Sequence, residues 1–205
     1  MQIFGQMVRV PITARQKLGE AGYFYNGMLS NRTNVIVFPH YFSAFLSAFR
    51  SVTFFLQTQY GGKDTFKAWY AEKVTMMGAD PVMVMLNKSR RAIVHLEPID
   101  LFFTQGFDMP AKYNGVITTK HFELIQNQDA SGQVMMKVKV DADGAEEEVT
   151  PQIAWHISED DRTDLLQHCY HGLEVLNRIL TELEALRSSM GLTPDPDLKD
   201  FPATK

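Results

Sequence analysis

The chain has 205 residues, of which 45% are hydrophobic and 21% charged, enough for one sizeable core in an ordinary globular protein. A net charge of −4 and a sequence pI near 5.9 argue against a general electrostatic footprint for nucleic acid or a membrane surface, and Lys88, Arg90 and Arg91 are the one dense basic cluster. Cys169 is the sole cysteine, which excludes an intrachain disulfide and a cysteine-rich zinc site and fits a reducing cytoplasm.

No stretch reaches about 18 consecutive apolar residues, and the amino terminus has no apolar run after a basic start, so neither membrane insertion nor export is expected. Eleven methionines and 14 phenylalanines point to an adaptable, aromatic-rich core.

After an extended start at Gln6 to Pro11, Thr13 followed by Gln16 gives a capping-box signal for a helix to about Ser30, with Leu18, Ala21, Tyr25 and Leu29 as its buried face. The clearest helix runs from about Phe38 to Tyr60, where Phe42, Phe45, Leu46, Phe49, Val52 and Leu56 recur at helical spacing. Arg50 and Gln57 fall elsewhere round that cylinder. Gly61 and Gly62 end it, since the earlier glycine and the following Ser or Thr of a phosphate loop are missing. A shorter helix spans Asp64 to about Met77.

Asp80 before Pro81 starts the next helix, because aspartate caps free amides and proline suits the first helical position. Pro98 predicts that it stops near His95. Met83, Leu86 and Ile93 or Val94 form its apolar stripe, and at ~100° per residue Arg90 falls on the same stripe. An arginine there is expected to be buried and held by a carboxylate or carbonyls, with Arg91 more exposed. Glu97 to Gly115 reads as a long aromatic loop, which would cover a small-ligand pocket or pin to the core.

Three strands follow, at Val116 to Gln126, Val134 to Val140 and Val149 to Ile157, with Ile153, Trp155 and Ile157 on one face. Ser158 with three following acids predicts the start of the last helix. Its stripe of Leu165, Cys169, Gly172, Leu176, Ile179, Leu183 and Leu186, flanked by Leu166, Leu173 and Leu180, fits either a core stripe or an oligomer seam, and its width predicts a homodimer. The segment 191–205 is expected to be an extended tail beyond a single domain over 1–190.

The fold expected is therefore α+β: a four- to five-helix bundle with a three-stranded antiparallel sheet inserted at about 116–157, before the last long helix. His168 and His171 have a metal-compatible spacing but no third ligand, and they read as surface residues. No metal or cofactor is expected. Arg90 and His95 fit phosphodiester chemistry, since an imidazole can take the proton of a ribose hydroxyl while a guanidinium holds the phosphorane. The bland alternative is a structural ion pair at Arg90 in a non-catalytic binding or assembly module.

The run Tyr41 to Val52, then Phe66 to Tyr70, then Arg90 to His95, resembles HEPN-type helical domains and related bacterial proteins, over about residues 13–95 and the final helix. In that superfamily an arginine with a histidine a few residues later marks metal-independent RNases, often acting across a homodimer, while other members only bind. The resemblance implies a cytoplasmic protein that binds or cleaves RNA or binds a nucleotide, with Arg90 and His95 catalytic and Lys88 and Arg91 on the nucleic acid. Arg91 stands where the family commonly has a residue such as asparagine.

Overall fold

A computed structural model describes residues 13–95, 99–107, 122–140, 146–158 and 162–192. It is α+β, in the order α1 (Ala14–Ser30), α2 (Val37–Tyr60), α3 (Asp64–Ala79), α4 (Pro81–Val94), β1 (Phe102–Phe107), β2 (Phe122–Gln128), β3 (Val134–Val140), β4 (Glu146–Val149), β5 (Pro151–His156) and α5 (Leu165–Leu186). The described residues form two compact units, one within 13–23, 45–91 and 171–192, the other within 24–44 and 92–170.

The helical unit is built on apolar stripes. The capping box that opens α1 is formed, with the Thr13 amide donating to Gln16 Oε1 at 3.1 Å and the Gln16 amide to Thr13 Oγ1 at 3.2 Å. Phe45, Leu46, Val52 and Leu56 of α2 are almost fully buried. Gly61 terminates α2 for a steric reason: a Cβ there would lie 2.3 Å from the Gln57 carbonyl oxygen. In α3 the Trp69 indole donates to Glu182 Oε1 at 2.7 Å, and Lys73 pairs with the same carboxylate. Arg15 makes a two-pronged pair with Glu184 at 3.0 and 2.8 Å.

The buried face of α1 differs from the one expected. Ala14, Ala21 and Met28 are buried and Leu29 is 45% exposed, because the stripe repeats every seven residues and so selects Met28 over its neighbour.

In the second unit the strands make two antiparallel sheets, β1–β5 and β2–β3–β4. Val134, Met136 and Val138 are buried while Met135 is exposed, the alternation expected of β3. Three expectations are corrected here. The single third strand is split, because β4 continues the β3 ladder to Val149 whereas β5, opening on Pro151, pairs with β1. Residues 102–107, read as loop, form β1. The cap of α5 is Asp164 rather than Ser158, since the Leu166 amide donates to its Oδ1 at 3.3 Å. The expected strand residues 116–121, the 159–161 acids and the 193–205 tail lie outside the described residues.

Asn34 ties this unit together. Its Oδ1 accepts from the Ile36 and Val37 amides, capping α2, while its Nδ2 donates to the Ser131 carbonyl in the β2–β3 turn. Trp155 stacks on Phe38 at 4.3 Å and donates its indole N–H to the Arg32 carbonyl at 2.8 Å. Asp164 accepts from the Trp155 amide and pairs with Arg32 at 2.5 Å.

Leu165, Leu166, Cys169, Leu176, Ile179, Leu180 and Leu183 of α5 are all buried by this chain itself. Most of the stripe is therefore core, while Leu173 is half-buried and Leu186 is 37% exposed. No described helix is long and apolar enough to cross a membrane.

Candidate functional site

Three helices of the helical unit each present one stripe to a common groove of about 580 Å³, within the roughly 300–1,000 Å³ range of small-molecule sites. Arg50, Thr53 and Gln57 come from α2, Tyr70, Val74 and Met77 from α3, and Met83, Asn87 and Arg90 from α4. Offsets of three, four and seven residues place each trio on one helical face. Phe49 and Leu86 complete the apolar wall, and Val84 stands at the surface, 49% exposed.

The polar groups are prearranged. Arg50 Nη1 donates to Thr53 Oγ1, and the same hydroxyl donates to the Arg50 carbonyl at 3.1 Å, so Thr53 holds the guanidinium against its own helix. Gln57 Nε2 donates to the Tyr70 hydroxyl oxygen at 3.0 Å, which leaves the tyrosine proton free to be donated. No acid lines the groove, and neither Arg50 nor Arg90 meets a carboxylate among the described residues. Two arginines thus line one concavity that has no acid among its described residues, in a chain whose net charge is −4.

The far end of the groove is pinned by Asp80, between α3 and α4. Its Oδ1 accepts from the Val82 and Met83 amides at 2.9 and 3.2 Å, and its Oδ2 accepts from His171 Nε2 at 2.7 Å. Partial burial pushes the Asp80 carboxyl up, but the hydrogen bonds from His171 and the two amides outweigh it and hold the pKa below the ordinary 3.8. His171 lies at the surface as its spacing suggested, its side chain 43% exposed, and is tied to the α3–α4 corner through Asp80.

The sequence predicts Arg90 buried in the core and held by a carboxylate or carbonyls. Instead it is half-buried, with no hydrogen bond or ion pair among the described residues. Ser89 takes the buried position, its hydroxyl donating to the Met85 carbonyl at 3.0 Å. The buried stripe Met83–Leu86–Ser89 steps by three, which falls ~60° short of a full turn each time and carries the stripe away from Arg90.

Arg91 and Lys88 are exposed and do not line the groove. His95 is exposed in the turn after α4 and belongs to the second unit, whereas Arg90 belongs to the first.

Arg50 is the residue that sequence reasoning missed. The signal was present: it is the one Arg, Lys, Asp or Glu in the 24 residues of α2, the most apolar of the described helices. Of the pocket expected under residues 97–115, positions 97–98 and 108–115 lie outside the described residues. Among the described residues no three His, Cys, Asp or Glu side chains group closely enough to hold a metal, and burial raises the Cys169 thiol well above its ordinary pKa, so it is a poor nucleophile. No family model, curated protein or solved structure matches the chain.

Proposed function

We propose that this protein is a binding module for a small ligand carrying an anionic group, and that Arg50 and Arg90 hold that group in the α2–α3–α4 groove. The observation that carries the reading is that Arg50 and Arg90 both line an acid-free concavity and have no carboxylate partner among the described residues. A guanidinium presents a planar fork of donors that matches carboxylate and phosphate alike. The free Tyr70 proton and the Asn87 amide supply further donors at the same wall.

The HEPN resemblance supplies nucleotides and RNA as phosphate-bearing ligands to test, and with them a cytoplasmic homodimer. One ligand per chain is the stoichiometry this reading expects. His95 takes no part in this reading, which uses Arg90 with Arg50. Calorimetric titration with AMP, pyrophosphate and simple carboxylates tests it. Binding that is lost in both Arg50→Ala and Arg90→Ala supports the reading, and the absence of binding by every anion overturns it.

A further inference from the structure

Resting on that reading, we infer that the body of the ligand is an acyl or alkyl chain, so that the groove takes a monomeric aliphatic carboxylate or phosphate rather than a nucleotide. A nucleobase is held by stacking on an exposed aromatic face. The two aromatic side chains that line the groove are already covered: Phe49 is 7% and Tyr70 8% exposed, and the Tyr70 ring stacks on Phe66 at 5.2 Å. The apolar surface that remains accessible is aliphatic, with Val74 50% and Val84 49% exposed beside the half-buried Met77. Valine and methionine offer a chain of methylenes contact area without directional demands, and methionine adapts to a flexible guest.

The shape agrees with the chemistry. The groove runs into a second concavity, of about 660 Å³, which shares Gln57, Tyr70 and Val74 with it and continues past Ala71 to Lys67. From Met77 to Lys67 the trough follows α3 for ~15 Å at 1.5 Å per residue. That is an elongated track, suited to a linear chain anchored at one end by the arginines. The head of such a ligand would lie in the first concavity, which both arginines line, whereas Lys67 at the second is paired with Asp64 at 2.8 Å.

The test is titration of the full chain with hexanoate, octanoate and decanoate, hexyl and decyl phosphate, and AMP, all below the concentration at which they aggregate. A parallel arm uses phosphatidylglycerol vesicles to separate a free amphiphile from a bilayer. The expected result is affinity rising about threefold to fourfold for each methylene the groove covers. AMP should bind more weakly than decanoate, and vesicles should not bind. Arg90→Ala and Arg50→Ala should each weaken decanoate at least tenfold. Val74→Asp and Val84→Asp, at half-exposed positions where circular dichroism should report an unchanged fold, should remove the chain-length dependence.

Anions that bind equally at every chain length, or AMP binding tighter than decanoate, overturn the inference and leave the anion-binding reading standing. Binding to vesicles without binding to monomers also overturns it. Failure of every anion overturns both.

Discussion

The Asp80 carboxylate accepts a 2.7 Å hydrogen bond from His171 Nε2 while its other oxygen caps α4 through the Val82 and Met83 amides. One side chain thus fixes the corner between α3 and α4, the two helices that supply most of the groove. Because the folded pKa of Asp80 is depressed below 3.8, its contribution to stability is fully present above the unfolded value and is lost as pH falls through the folded one. Asp80→Asn keeps a capping oxygen but loses the charge. Urea unfolding should show the wild type more stable than Asp80→Asn at pH ~6, with the gap narrowing as pH falls below the ordinary carboxylate value and closing once the folded carboxyl is also protonated. A gap independent of pH would mean that the charge contributes nothing.

Arg90→Ala separates binding from stability. With no partner among the described residues to strand, the variant should unfold within about 0.5 kcal/mol of the parent. This contrasts with the ~3–5 kcal/mol that a sealed, ion-paired arginine would cost. Its anion affinity should fall ~10- to 100-fold, the ~1.5–3 kcal/mol of a charge-assisted hydrogen bond. Parallel thermal melts and calorimetry read the two quantities, and a large destabilisation would return Arg90 to a structural role.

Thr53→Val tests positioning. The substitution keeps the volume but removes the hydroxyl that holds Arg50. Affinity for a carboxylate should weaken severalfold, with a smaller effect from Thr53→Ser, which restores the acceptor. Equal losses in both variants would place the effect in packing instead.

Asp164 should be a stability hub of the second unit. It caps α5, accepts from the Trp155 amide and pairs with Arg32, whose side chain is 37% exposed. Asp164→Ala should cost ~2–3 kcal/mol, below the range for a fully buried pair because solvent screens the arginine left behind. Asp164→Asn, which retains a cap, should cost about half as much. Chemical denaturation checks both.

His95→Ala should leave anion affinity at the groove unchanged within about twofold, because His95 is exposed and absent from its lining. The same variant tests the RNase reading carried by the resemblance. If the parent cleaves RNA in the presence of chelator and His95→Ala does not, the Arg90–His95 pair is catalytic after all. Cleavage that persists in the variant, or is absent from both, removes it.

The sequence by itself determined the local structure. The Thr13–Gln16 capping box, the Gly61 stop, the Asp80 cap and the alternation along β3 are all decided within a few residues by backbone hydrogen bonding and sterics, so they were legible without the fold. The wide apolar stripe of α5 was legible too, but not whether this chain or a second copy would cover it.

Tertiary structure decided the rest. That Pro151 opens a strand paired to β1 depends on residues some 50 positions away, and so does the break it puts in the predicted third strand. Asn34 looked like part of a polar break and became the clamp between α2 and the β2–β3 turn once Ser131 arrived. The groove is the clearest case. Arg50 and Arg90 stand on different helices, and periodicity ranks each only against its own axis. Whether an arginine on an apolar helix meets a carboxylate or opens onto a concavity is set by what the neighbouring helices place opposite it, which no local pattern encodes.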